Sequence, residues 1–226
     1  AVPMLPALRN PVLLAHALAT LDIISKGRII LGVSVGPVRD YIQRQFRACG
    51  VPPQEKAGRL SECIEIMRRL WSETTIDYDG RYYKLDGVGI LPHPAQKPGI
   101  PIWIAADRND NGFKRVARLG DGWHAYRLTP EELAEGWRKV QALAREAGRD
   151  PDALALSVRW PLSILDAPGD GSQPFIGTVE QIGESLRRYQ ALGVAHVVFE
   201  PPIMAGIDAA LATLNRFARE VRGEFA

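Results

Sequence analysis

Arg108 stands among Asp107, Asn109, Asp110 and Asn111, between the apolar run "IPIWIAA" (100–106) and a helix-like segment around Phe113–Leu119. Ala105 and Ala106 end the run with almost no side-chain bulk, so a ligand can approach the backbone there. A helix N-terminus offers free N–H groups and the positive end of a dipole, and Arg108 adds a full charge. The pattern fits an anion, a phosphate above all. It fits a plain cap and turn equally well, because Asp and Asn side chains bond readily to nearby backbone. The stretch "GVSVGP" (32–37) closes another apolar run. Its glycines leave room for a flat ligand or make a tight turn, and they lack the Gly-x-Gly-x-x-Gly spacing of a dinucleotide fingerprint.

Among the histidines, His124 lies nearest the carboxyl end of an apolar run and can point into a site or serve packing. His196 lies in another such run, and His16 and His93 read as structural or surface residues. The four do not cluster with acids at metal spacing, so no metal site is expected. Arg159 and Trp160 interrupt the run "LALSVRWPLSI" (154–164). A buried guanidinium is costly without an anionic partner, so these two line a pocket or Arg159 is ion-paired at a rim. There is no nucleophile elbow, Walker loop or pair of acids, and no catalytic proton donor can be named. The absence of a candidate Schiff-base lysine at a strand end weighs against an aldolase or isomerase.

The elements that must hold these residues alternate. Asn10-Pro11 has the form of a helix start, with Leu14, Ala17, Leu18, Leu21 and Ile24 at helical spacing. A second helix covers 54–72. Thr129-Pro130-Glu131-Glu132 and Thr178 with Gln181 are capping boxes that open two more, and Asp208 is placed as the cap of a last one. Between them lie the apolar runs 28–36, 100–106, 122–126, 154–164 and 194–201, several without polar alternation, as parallel strands covered on both faces require. Tight glycine joints at Lys26-Gly27, Leu119-Gly120 and Leu192-Gly193 lead from helices into strands, and longer polar loops lead out of strands. That asymmetry predicts a TIM (β/α)8-type barrel with working loops at the strand carboxyl ends, ahead of a doubly wound open sheet. "TIDYDGRYYKL" (75–85) reads as a β-hairpin insertion with a type I′ turn at Asp79-Gly80. Five strands are clear and "AVPML" suits the end of a sixth, so about the first two βα units of a barrel are lacking. The whole of 1–226 reads as a single, partial barrel domain.

Composition sets the outer limits. The chain has 226 residues, 46% hydrophobic, with a formal net charge of +2. That charge speaks against nucleic acid or membrane surfaces as partners, and no apolar stretch reaches the length of a span. Cys49 and Cys63 fit no metal or disulfide framework and imply a reducing, cytoplasmic setting.

The ordered motifs then carry a resemblance. "LRNPVLLAHALATLDIISKGRIILGVSVG", "GRLSECIEIMRRLW", "DGRYYKL", "PHPAQKPGIPIWIAA", "ARLGDGW" and "FIGTVEQIGESLRRYQALGVAHVVF" resemble, in order, segments of the luciferase-like monooxygenase family. The resemblance implies a barrel with a flavin or deazaflavin at its carboxyl mouth, and a chain beginning near the family's third strand, without the Asp-His that follows the second. It looks closest to the branch using coenzyme F420, with FMN as the alternative. It implies that Ala1, Val2, Val35, Gly36, Ala105, Ala106, Asp107, Arg108, Tyr126 and Arg127 hold the cofactor; His124, Arg159 and Trp160, singled out above by residue type and position, are the candidates to face a small-molecule substrate. Pro37 stands where the family often has Trp or Glu. The activity implied is an oxidoreductase or monooxygenase, most simply hydride transfer to or from a small organic molecule, in a homodimer. A non-catalytic flavin-binding or partner-subunit relative with a shortened barrel is the other reading.

Overall fold

The structure, a computed structural model of the chain, describes residues 3–106 and 108–225. In chain order it contains α1 (Pro11–Ser25), β1 (Leu31–Ser34), α2 (Asp40–Ala48), α3 (Lys56–Ser72), β2 (Ile76–Asp79), β3 (Lys84–Val88), β4 (Ile102–Ala105), α4 (Asp110–Leu119) and β5 (Gly122–Tyr126). Then follow α5 (Pro130–Glu146), β6 (Ala155–Pro161), β7 (Ser163–Ile164), β8 (Ile176–Gly177), α6 (Val179–Ala191), β9 (Val194–Glu200) and α7 (Ile207–Glu220). The main sheet has the order β1-β4-β5-β6-β9, and every pairing is parallel. This order advances in one direction, whereas a doubly wound sheet reverses at a switch point. Met4 forms a parallel bridge to Val33, its N–H donating to Gly32 and its carbonyl accepting from Ser34. The expected end of a further strand is therefore present beside β1.

One face of the sheet is apolar and covered by helices. Val33, Ile102, Ile104, Trp123, Leu156, Val158 and Trp160 are buried there with the apolar stripes of α1, α3, α4, α5 and α6. Trp123 meets Phe113 of α4 edge-on at 5.4 Å, and a Cβ at Gly136 of α5 would come within 2.5 Å of the Trp123 ring. Glycine at 136 thus lets α5 lie flat on the indole. At the two ends of the molecule, α1 leaves Leu13, Leu21 and Ile24 exposed and α7 leaves Ile207, Leu211 and Leu214 exposed.

The local signals behave as physical chemistry dictates. Asn10 caps α1 by accepting from Val12 and Leu13, and both capping boxes close, Thr129 with Glu132 and Thr178 with Gln181. Three expectations need correction. Helix α2 was not foreseen, because only Ile42 and Phe46 are buried in it, on a satellite cluster with Ala7 and Val51. Asp208 is not a cap: Gly206 holds that position and Asp208 sits in the first turn.

The hairpin at 76–88 turns through residues 80–83 and not through a two-residue type I′ turn. Its cause lies in α3. The Glu62 carboxylate accepts from the backbone N–H groups of Arg81, Tyr82 and Tyr83 at 2.8, 3.0 and 3.1 Å, and Gly80 leaves room for it. Three charge-assisted bonds to one carboxylate fix a wider loop than the hairpin alone would choose. Glu62→Ala is expected to cost about 2 kcal/mol in urea unfolding and to speed amide exchange at residues 81–83 with the main sheet unaffected.

Candidate functional site

Successive side chains of a strand point to opposite faces, so the residues between the buried ones share the inner face of the sheet. Register then sorts them into levels. Gly32, Trp103, Gly122 and Ala155 face one another across four strands. One step toward the carboxyl ends, Ser34 is level with Ala105, and His124 with Ser157 and His196. The pairing of Ile104 with Trp123 places Ala105 beside His124, so this second level is small or polar across all five strands. A third level contains Tyr126, Arg159 and Val198.

The lowest level is a floor. Trp103 is its one large side chain, and it meets His196 edge-on at 5.3 Å. Gly122 makes the space: a Cβ there would stand 2.8 Å from Trp103 Cδ1 and 2.7 Å from the Ala155 carbonyl oxygen. Above the floor, His124 is buried, and its Nδ1 lies 2.9 Å from Ser157 Oγ. Its Nε2 has no hydrogen-bond partner among the described residues. At the mouth, Arg159 Nε lies 3.1 Å from Glu200 Oε1, and the guanidinium lies over the Tyr126 ring at 4.5 Å. Of the two alternatives for Arg159, the ion pair at the rim is the one present.

Burial, reinforced by the positive charge of Arg159 and by His196, pushes the His124 imidazole down to about 4 from an ordinary 6.5. The sign follows from linkage. The unfolded chain takes up a proton near pH 6.5 that folded His124 refuses until about pH 4. Stability is therefore full above pH 6.5 and falls as pH drops toward 4. The expected loss is up to about 3 kcal/mol, read as the difference in pH dependence between the native chain and His124→Gln.

The remaining expected positions divide. Ala105 lies on the inner face beside Ser34, and Tyr126 is exposed at the mouth. Arg127 adopts φ 50°, a left-handed conformation uncommon for a side-chain-bearing residue, and its N–H donates to the Arg159 carbonyl. Gly36 has φ 77°, which favours glycine, and a Cβ there would stand 3.1 Å from Leu5 and 3.3 Å from Ile42. Its carbonyl accepts from Lys56 Nζ at 2.8 Å. Val35 packs on the main core, and the Ala106 carbonyl accepts from Trp123 Nε1.

Trp160 faces the helices, its Nε1 donating to Leu128, so strand alternation separates it from Arg159. Arg108 is ion-paired within the chain. Its Nη1 lies 2.5 Å from Glu132 and its Nη2 3.6 Å from Glu135, so it straps the β4–α4 loop to α5. Ala1, Val2 and Asp107 lie outside the described residues. Ser157 and Trp103 were missed. A period-two count from His124 and Arg159 would have selected Ser157.

A groove of about 310 Å³ lies elsewhere, lined by Thr129, Glu131, Ser172, Gln181 and Arg188. It lies between α5, α6 and the loop before β8 and shares no residue with the inner face. Among the described residues no group of three or more His, Cys, Asp or Glu could hold a metal.

Known proteins match this arrangement. The sequence model described as luciferase-like monooxygenase matches residues 1–173. The uncharacterized protein Rv0953c of Mycobacterium tuberculosis is 32% identical over 221 residues, which cover 96% of this chain and 68% of that protein. The F420-dependent glucose-6-phosphate dehydrogenase of Nocardia farcinica is 33% identical over 170 residues, 70% of this chain and 47% of the enzyme. The chain thus spans about two thirds of one relative and about half of the other. The coenzyme F420 dependent tetrahydromethanopterin reductase of Methanopyrus kandleri superposes with a TM-score of 0.78 at 20% identity, over 98% of this chain and 81% of that one, a likeness of fold. The chain belongs to the luciferase-like monooxygenase family.

Proposed function

We propose that this chain forms a coenzyme F420-dependent oxidoreductase, FMN being the alternative cofactor, that acts on a small organic substrate at the carboxyl ends of the parallel strands. The observation that carries this reading is the level Ser34, Ala105, His124, Ser157 and His196, small on β1, β4 and β6 and polar and flat on β5 and β9, just above the Trp103 floor. Such a face fits a flat heterocycle. When bound, the (deaza)flavin would supply the hydride chemistry, and the protein its placement. Trp103 would exclude water from below. Ser34 and Ala105 would let the ring approach the backbone, and Tyr126, Arg127 and the loop after Ala106 would border the mouth. F420 is preferred because the glucose-6-phosphate dehydrogenase relative, at 33% identity, is F420-dependent. Residues 1–226 are assigned to one barrel domain, and the protein to a cytoplasmic homodimer; no helix among the described residues is long and apolar enough to cross a membrane.

The test is a fluorescence titration with F420 and with FMN. Saturable binding of F420, and not of FMN, is expected. Arg108→Ala is expected to weaken F420 binding by less than about threefold, because the guanidinium is already engaged by two exposed carboxylates. A loss of tenfold or more would return Arg108 to direct contact with the cofactor. The second reading, a non-catalytic partner subunit, draws on the exposed aliphatic residues of α1 and α7. Binding of neither cofactor would favour it.

A further inference from the structure

We infer that the inner face of β5, β6 and β9 forms a binding site for an uncharged oxygen of the substrate, a hydroxyl or the carbonyl related to it, with His124 Nε2 as the contact and Ser157 as its positioning residue. The inference rests on the proposed function in one respect, that the substrate enters from the strand carboxyl ends.

His124 is only 6% exposed and Ser157 not at all. One ring nitrogen is held by Ser157 Oγ at 2.9 Å, and the other is left without a protein partner among the described residues. An imidazole nitrogen with no protein partner, on a ring held in place through its other nitrogen, is available to whatever enters the inner face. It stands above Trp103 and below Arg159, where a ligand passing the mouth would come to rest. The charges at the mouth are paired. Arg159 is matched by Glu200 and covered by the Tyr126 ring, so an anion would meet the Glu200 carboxylate and a cation the guanidinium.

The hydroxyl of Ser157 explains how one imidazole serves two related ligands. If Ser157 donates to Nδ1, the ring proton sits on Nε2 and donates to a carbonyl. If Nδ1 donates to Ser157, Nε2 accepts from a hydroxyl. The serine changes between the two by rotating its own O–H. Trp103 and His196 then offer ring edges and faces to the carbon skeleton.

The test uses the full chain, labelled with 15N, and the long-range imidazole spectrum of His124, assigned through His124→Gln. Glycerol is the uncharged probe and inorganic phosphate the charged one. Glycerol is expected to shift His124 Nε2 saturably and phosphate to leave it in place. Ser157→Ala should weaken the glycerol response about tenfold, the equivalent of about 1.4 kcal/mol, and Ser157→Thr, which keeps the hydroxyl, should restore it. A shift with phosphate and not with glycerol, or with neither, overturns the inference. An unchanged response in Ser157→Ala overturns the positioning role. F420 binding read by fluorescence on the same sample separates the two ideas: lost glycerol response with F420 retained sinks this inference alone.

Discussion

Asp121→Ala is expected to lower stability by about 3 kcal/mol, a fall of roughly 6–12 °C in Tm for a chain of this size. Asp121 belongs to the "GDGW" stretch, and its carboxylate ties together elements far apart in sequence. Oδ2 accepts from the backbone N–H of Ile102 at 2.8 Å and from Arg68 Nη2 of α3 at 2.7 Å, and Oδ1 lies 3.7 Å from Arg149 Nη2. Its backbone continues the tie, the N–H donating to Ile102 and the carbonyl accepting from Ala155. One residue thus links α3, β4, β5 and β6 at the amino ends of the strands. Removing the carboxylate orphans the N–H of Ile102, which is fully buried, and strips two half-buried arginines of their counter-charge. Asp121→Asn keeps an acceptor for Ile102 and loses only the charge, so about half the cost is expected. Thermal and urea unfolding read both. Equal losses in the two variants would show that the ion pairs, and not the strand bond, dominate.

Gly122→Ala is the second large effect, about 3 kcal/mol from overpacking. The added Cβ would stand 2.7 Å from the Ala155 carbonyl, a backbone atom locked in the neighbouring strand, and 2.8 Å from Trp103 Cδ1. The indole can yield and the carbonyl cannot. The variant is therefore expected to fold with β5 and β6 spread and Trp103 pushed from the floor. It should show a blue- or red-shifted tryptophan emission and, if the inner face holds the cofactor, F420 affinity reduced at least tenfold. Native emission with native stability would mean that the strands absorb the methyl group without moving the floor.

What the sequence made legible was whatever acts over a few residues. The Asn10 cap, the two capping boxes and the strand at 122–126 needed only neighbours to be recognised. What stayed hidden was set by partners distant in the chain. Nothing near Asp79 announces that Glu62 will hold the loop, and nothing near Arg108 announces Glu132. Helix α2 escaped because two buried residues in nine make too thin a stripe. For the candidate site, His124 and Arg159 were found by chemistry alone, as polar groups in apolar runs. Their neighbours needed geometry. Ser157 looks like any strand serine until register sets it opposite His124, and Trp160 looks like a pocket residue until alternation turns it toward the Leu128 carbonyl on the helix side.

The way the strands are joined has a kinetic corollary. Among the described residues the 76–88 hairpin and the short β7–β8 pair close between neighbours in sequence; each partner in the main sheet is reached across at least one intervening helix. Before Leu31 can meet Ile102, α2, α3 and that hairpin must be threaded between them. Closing such long loops is entropically uphill until the contacts form, which places this architecture among the slower folders. The Glu62 clasp offers a local seed of α3 and hairpin on which the later, distant pairings can accumulate.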